Sequence, residues 1–379
     1  MKILFITNYP LLYGANRSLL SLLEYFKAKG EEVCLLIPRK GGMTDELSRL
    51  GIHYMAIPYM SSYLYYKKYN SVVKAIGKPL LVLATFFILP LILYKVWRYN
   101  PDIIYSNSCS DNFGVYLAKI LRKKHIQHVR DFMDLDHDMK FIFGNKAKKK
   151  FINKSDAVIY VSRSVAEYTQ QSDHLPNNHR VIYNGVKIKN IEAYTDRCVP
   201  STINLGIVGL LDESKGQHLA IEFFSKIIKD FPNALLHIWG DKESGYKQRL
   251  FSLIDDLGIK AKVVFHGFEN NTDVIYNDMS ALLMCSRMEA FGRVTVEAML
   301  RGIPVIGFDS GGTSELVKTG YNGFLFKTEE EFRDSVKSLF SSDASYNAIC
   351  KNAYDDAHEH YSENVYAKNV YDFVKDIVK

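Results

Sequence analysis

The stretch Ser286-Arg287-Met288-Glu289-Ala290-Phe291-Gly292-Arg293, continued by Glu297, Gly302, Pro304 and Gly311-Gly312, decides how this chain is read. Before it, Ala281-Leu282-Leu283-Met284-Cys285 is an unbroken apolar run, which predicts a buried strand. After it, Val294 to Leu300 has helical spacing and is stopped by Gly302 and Pro304. Glu289 therefore falls in the turn and Glu297 on the helix. The helix start lies between them. Its free N–H groups around Phe291, Gly292 and Arg293 can hold a phosphate, and glycine at 292 lets the backbone come close. Carboxylates beside an anion site are badly placed to bind the anion itself, so hydroxyl groups are their better partners, held by charge-assisted hydrogen bonds. A sugar and a ribose on either side of a diphosphate fit that pattern. Two glutamates alone would read more readily as a helix cap and a solvated helix residue.

Working outward, 379 residues are long for one core and suggest about two domains. With 47% hydrophobic and 24% charged residues the chain is of globular composition. Its five cysteines, Cys34, Cys109, Cys198, Cys285 and Cys350, are far apart and in no metal-ligand spacing, which predicts free thiols in a reducing compartment. The strand-like Lys2–Thr7 follows Met1 with no apolar leader, so a cytoplasmic location is expected.

The net charge of +6 conceals an asymmetry. Residues 1–190 carry 28 Lys and Arg against 14 Asp and Glu, and the remainder 20 against 28. Lys119, Arg122, Lys123, Lys124 and Lys146, Lys148, Lys149, Lys150 form clusters suited to an anionic membrane surface, or else to plain solvation. Nucleic acid is the weaker partner, because no recognition motif accompanies the charge. Leu80 to Tyr94 is apolar on all faces and flanked by Lys78, Lys95, Trp97 and Arg98. With Pro90 inside, that run is shorter than the ~20 residues a bilayer span needs. It reads as a helix packed inside the first domain or as one lying in the membrane interface. Tyr59, Tyr63, Tyr65, Tyr66, Lys67, Lys68 and Tyr69 before it mix rings and cations as headgroup regions do.

Short apolar runs alternate with helical stretches in two series, one ending at Val181–Tyr183 and one restarting at Ile203–Gly209, with the polar Asn184 to Thr202 as linker. Such alternation predicts an α/β chain with two Rossmann-like domains of parallel strands. The boundaries are 1–190 for the first domain and 191–362 for the second, followed by a helical segment, 363–379. At the first turn of the second domain, Gly209-Leu210-Leu211-Asp212-Glu213-Ser214-Lys215-Gly216 places Lys215 to meet a diphosphate, unless it is simply a first-turn surface lysine. In the first domain, Tyr13-Gly14-Ala15-Asn16 opens an amphipathic helix, and His128-Val129-Arg130-Asp131 follows a strand. His128 belongs to that strand and His137 is a more distant polar candidate. Arg130 and Asp131 could also form a local ion pair.

Taken in order, the acidic turn, Phe291-Gly292, Glu297-Ala298-Met299, Gly302-Ile303-Pro304-Val305-Ile306 and Gly311-Gly312-Thr313-Ser314-Glu315 closely resemble the retaining glycosyltransferases of family four, bacterial polysaccharide type. The resemblance implies the GT-B architecture: two facing Rossmann-like domains, the first binding acceptor and the second nucleotide-sugar, with the 363–379 helix crossing back to the first. It implies catalytic roles for Glu289, Lys215 and Arg130. Donor binding would fall to Gly14, Lys215, Glu289, Ala290, Phe291, Gly292, Arg293 and Glu297, with Glu289 at the sugar and Glu297 at the ribose. The chain departs from the family pattern in three places: Leu210 stands where an arginine is expected, Arg130 where many relatives have histidine, and Tyr13 and Asn16 where a Gly-Gly-Ala-Glu pattern has its first glycine and its glutamate. Arg287 or Arg293 could supply the missing charge. Arg130 cannot act as a base but could stabilise a departing phosphate.

The expected reaction is hexose transfer from a UDP- or GDP-sugar to a glycan or polyprenyl-linked lipid in surface polysaccharide or capsule assembly, at the inner face of the plasma membrane. Hinge closure would bring the Gly14 loop and Arg130 against the leaving group and exclude water. No metal cofactor is expected, since cations and a helix terminus take its place; Asp134-Leu135-Asp136 and Asp136-His137-Asp138 read as a polar turn. A nucleotide-sugar epimerase and a non-catalytic nucleotide-sugar-binding protein are the alternatives. Dinucleotide redox chemistry and phosphoryl transfer lose support, because neither glycine-rich fingerprint is present.

Overall fold

The computed structural model describes residues 1–59, 63–65, 78–108, 113–136, 139–141, 144–188 and 193–379. Residues 66–69 of the tyrosine and lysine run, Cys109, His137 and Asp138 lie outside them. The chain divides into two compact units, Met1–Gly185 with Glu363–Lys379, and Val186–Ser362.

The first unit contains β1 (Lys2–Ile6), α1 (Gly14–Ala28), β2 (Glu32–Ile37), α2 (Gly42–Arg49), β3 (His53–Ala56), β4 (Tyr63–Tyr65), α3 (Lys78–Tyr99), β5 (Ile103–Ser106), α4 (Phe113–Leu121), β6 (Lys124–Val129), β7 (Met139–Phe141), α5 (Asn145–Ile152), β8 (Ala157–Tyr160), α6 (Arg163–Gln170) and β9 (His179–Val181). Seven strands form one sheet in the order β3-β2-β1-β5-β6-β8-β9, with every pair parallel. Parallel strands covered on both faces are apolar throughout, and alternate residues feed opposite layers. Ile3 and Phe5 join the core beneath α1, while Leu4 and Ile6 join the one beneath α3 and α4.

The second unit contains β10 (Asn204–Val208), α7 (Gln217–Ile227), β11 (Leu235–Trp239), α8 (Gly245–Asp256), β12 (Val263–Gly267), α9 (Thr272–Tyr276), β13 (Ala281–Met284), α10 (Arg293–Met299), β14 (Val305–Phe308), α11 (Thr313–Leu316), β15 (Gly323–Phe326), α12 (Glu329–Leu339) and α13 (Asp343–His360). Its six strands are again all parallel, ordered β12-β11-β10-β13-β14-β15. The last helix, α14 (Glu363–Val378), belongs to the first unit. It packs on α1 through Phe26 and Tyr371, whose ring centroids are 5.0 Å apart, and Tyr371 donates to the Glu31 carboxylate at 2.8 Å.

Three expectations are revised. The helix read over Leu80 to Tyr94 runs from Lys78 to Tyr99, because Ile92 and Val96 are buried in the core and the Tyr99 hydroxyl donates to the Glu32 carbonyl at 3.1 Å. Among the described residues no helix is long and apolar enough to cross a membrane. Part of the stretch read as linker is tied down: Tyr194 donates to the Asn347 side chain at 2.7 Å, and Arg197 to the Arg301 carbonyl at 2.7 Å. Finally, the segment containing Tyr63 and Tyr65 pairs antiparallel with β7, and Tyr63 is buried against Phe141.

Candidate active site in the second unit

In an open parallel sheet the crevice for a ligand lies where the strand order reverses. In the second unit that point falls between β10 and β13, and their two following turns carry Lys215 and Glu289. The turn after β10 is a single 3-10 turn, Glu213–Lys215, capped by the Asp212 carboxylate, which accepts from the Ser214 amide at 3.2 Å. Gly216 then takes a left-handed φ of +73°, and a Cβ there would sit 2.2 Å from the Cys285 carbonyl oxygen. Only glycine permits that approach. Ser286 fixes the same junction by donating to the Ser214 carbonyl at 2.9 Å. With the turns laid together, Lys215 Nζ reaches Glu289 Oε2 at 2.8 Å, the side chains 38% and 18% exposed. A cation and a carboxylate meet at the mouth of the crevice, still open to solvent.

The loop that carries Glu289 rests on the sequence's second glycine pair. The Gly312 amide donates to the Glu289 carbonyl at 2.7 Å, and a Cβ on Gly311 or Gly312 would come within 2.6 Å of the Glu289 carbonyl oxygen or 2.8 Å of Phe291 Cα. Ser310 donates to the Arg287 carbonyl. Gly292, at φ +96°, starts α10. Ala290 and Phe291 are buried, so these two residues can offer a ligand only backbone. Glu297 lies one turn along α10, where it accepts from the Tyr276 hydroxyl at 3.2 Å and stands 3.8 Å from Arg293. Burial, and then the Glu297 charge, push the Tyr276 hydroxyl well above its ordinary range, so it remains a donor. Arg287 is exposed, with its guanidinium 5.9 Å from the centre of the Phe308 ring. Although partial burial favours the neutral acid at Asp212, hydrogen bonds from Lys242 and Ser214 keep its carboxyl below the usual carboxylate range.

A floor of bare backbone lies beside this notch. Gly209, Gly240 and Gly267 end the adjacent strands β10, β11 and β12, and a Cβ on Gly240 would meet the Gly209 carbonyl oxygen at 1.9 Å. The exposed apolar side chains Leu210 and Phe268 follow two of these glycines. A glycine at the end of each of these strands is the signal the sequence offers.

Gly14 and Arg130 belong to the first unit. Gly14 begins α1. Two residues on, buried Asn16 accepts from Thr7 at 2.7 Å and donates to the Tyr9 and Leu11 carbonyls, which shapes the loop before the helix. Arg130 was expected to face a leaving group; instead it is 3% exposed and spends its donors inside the unit. Nε donates to Asn107 Oδ1 at 2.8 Å, one terminal nitrogen to Asn184 Oδ1 at 2.6 Å and the other to the Tyr366 hydroxyl at 2.7 Å. The guanidinium is thereby a tie between β5, the end of the unit and α14. His128, on β6, shares a hydrogen bond with Tyr105, and burial followed by the Arg130 charge holds it well below the ordinary histidine range. The Asp136 carboxylate caps the turn after β6 by accepting from the Phe132 and Met133 amides at 3.0 and 2.7 Å, and Asp134 accepts from Tyr168 at 2.6 Å.

The two units of parallel-stranded α/β structure, the second with a lysine and a glutamate paired at its switch point, have the GT-B fold, and each matches a glycosyltransferase family model. Residues 202–356 match the family model described as Glycosyl transferases group 1, and residues 13–190 that of Glycosyltransferase Family 4. The chain belongs to this glycosyltransferase family. It is 27% identical over 259 residues to lipopolysaccharide 1,6-galactosyltransferase of Salmonella typhimurium, an alignment spanning 65% of this chain and 68% of that one. It is also 27% identical over 269 residues to an uncharacterized 41.2 kDa protein in the cps region of Klebsiella pneumoniae, spanning 63% and 69%. Among solved structures, Anabaena HepE in complex with UDP superposes with a TM-score of 0.79 at 21% identity, covering 99% of this chain and 100% of that one, which shows a shared fold.

Proposed function

We propose that this chain is a retaining hexosyltransferase that uses a UDP- or GDP-sugar and extends a glycan or polyprenyl-linked lipid during surface polysaccharide assembly. The observation that carries the reading is the Lys215–Glu289 pair, 2.8 Å apart at the switch point of the second unit. Further support comes from similarity to a lipopolysaccharide galactosyltransferase and from a fold shared with a protein solved with UDP-glucose. On this reading Lys215 exchanges its contact with Glu289 for the donor's diphosphate, and Glu289 is released to accept hydrogen bonds from sugar hydroxyls. Amides from Phe291 to Arg293 face the same phosphates, and Glu297 takes the ribose hydroxyls. Arg293 is already paired with Glu297, so Arg287 is the better source of the charge missing at Leu210. The nucleobase lies over the Gly209, Gly240 and Gly267 floor, between Leu210 and Phe268.

In the transfer step the bond between the anomeric carbon and the phosphate oxygen breaks. The acceptor oxygen bonds to the same face of that carbon, and its proton passes to the departing phosphate oxygen. Lys215 and Arg287 stabilise the nucleoside diphosphate as its charge develops. The reading requires no metal ion, and places the protein in the cytoplasm, peripheral to the inner face of the plasma membrane.

The test is to incubate the full chain with radiolabelled UDP- and GDP-hexoses and a membrane extract, alongside thermal shift with UDP and GDP. The expected result is stabilisation by one nucleotide and label transferred to lipid-extractable glycan with unchanged anomeric configuration. Isomerised donor alone, or binding without turnover, would overturn it.

A further inference from the structure

Helix α3 buries Ile92 and Val96, yet the opposite face is apolar as well. Phe87, Leu91 and Tyr94 recur at helical spacing on that outer face, with Trp97 beside them, and all are exposed, Phe87 at 88% and Trp97 at 66%. Soluble surfaces rarely carry such a contiguous row without a use for it. The row ends among cations. Arg98 lies 6.0 Å from the Tyr94 ring, Lys95 is exposed, and Lys123 donates to Asn100, just past the helix end, at 2.9 Å. Alongside, α4 packs into the same core through Leu117 and Ala118 and turns Tyr116 and Ile120 outward. Tyr116 contacts Phe151 of α5 with centroids 5.6 Å apart, and Lys154 covers both rings. None of the three helices carries an aspartate or glutamate.

We infer that the outer faces of α3 and α4 form one docking surface for an anionic lipid bilayer, with the helix axes lying along the membrane plane and the side chains of Phe87, Leu91 and Trp97 entering the headgroup boundary. Exposed aromatic and aliphatic residues beside cations are the composition of an interfacial helix. A second copy of the chain is a poor occupant, because a two-fold contact would set three helices that carry cations and no carboxylate against their own copies. Nucleic acid would match the charge but leave the apolar row in water. The inference deepens the proposed function, since it gives the acceptor's membrane a place on the first unit while the donor notch lies in the second.

Co-sedimentation of the full chain with phosphatidylcholine vesicles, with and without phosphatidylglycerol, tests it. Strong partition to the phosphatidylglycerol vesicles is expected, and the double variant F87S/L91S should partition at least about tenfold more weakly. Removing one cation, as in R98Q, should weaken binding about fivefold. Brominated lipid should quench the wild-type tryptophan fluorescence, and W97F should lose that quenching. Equal partition of wild type and F87S/L91S, no quenching of Trp97, or a concentration-dependent dimer abolished by F87S/L91S without vesicle binding would overturn the proposal. Thermal shift by UDP on the same samples keeps the two readings separable, because F87S/L91S should retain the wild-type shift.

Discussion

At the C-terminal ends of β1, β5 and β6 in the first unit, Thr7, Asn107 and Arg130 belong to one buried network with Asn16, Asn184 and Tyr366. At the corresponding ends of β10 and β13 in the second unit, Lys215 and Glu289 meet each other while remaining partly in solvent. The two sheets share their parallel design but use the polar residues at their strand ends differently. In the first, donors and acceptors are consumed internally, so that removing one leaves the others buried and unsatisfied. In the second, bare glycine backbone and two solvent-facing charges leave hydrogen-bonding capacity for a ligand. Polar residues after a strand mark a crevice, but their burial decides whether they hold the fold or the substrate.

The sharpest way to break this comparison is Arg130→Met. Loss of a buried cation that donates from all three of its nitrogens should cost about 4 kcal/mol of stability, read by chemical unfolding, with UDP affinity of the folded protein retained. Unchanged stability with lost UDP affinity would instead move Arg130 into the donor site. Gly216→Ala should cost less, about 2 to 3 kcal/mol, because its left-handed φ is strained for alanine and the new methyl meets the Cys285 carbonyl. It should also abolish the UDP-induced thermal shift, since the turn can no longer set Lys215 beside Glu289.

A smaller effect comes from the buried imidazoles of the first unit. His125 is wholly enclosed between Ser106 and Ser155, and burial lowers its pKa to about 3. Its neutral form is favoured in the fold, so this stabilisation is complete above the unfolded value near 6.5 and is lost as pH falls from there toward 3. By pH 5 the loss should reach about 2 kcal/mol, read as a falling Tm. His125→Gln should flatten that decline. The histidines of the second unit, His218, His237 and His266, are also lowered, chiefly by burial, but they are partly exposed and should contribute less.

Much of the fold could be read directly, for a physical reason. Strands covered on both faces are unbroken apolar runs, and β1, β10 and β13 announce themselves by composition. The Glu289 loop was legible because a glycine pair and a phenylalanine-glycine turn answer local constraints: Gly311 and Gly312 are small because the loop backbone lies on them. What escaped the sequence depends on distant partners. Arg130 could be placed after a strand, but the Tyr366 hydroxyl that helps bury its guanidinium comes from α14, 236 residues later. The short β4–β7 ladder pairs residues nearly eighty positions apart, and its tyrosines read locally as a headgroup pattern. The ends of α3 were set by packing of Val96 and Tyr99, beyond the apolar run itself.

The central claim is that the donor occupies the notch between the two turns of the second unit, and steady-state transfer kinetics combined with UDP titration test it most directly. Glu289→Gln should lower kcat by roughly a hundredfold or more while UDP affinity stays within about threefold of wild type, and Lys215→Met should weaken UDP binding about tenfold. Wild-type kcat and wild-type UDP affinity in both variants would contradict it.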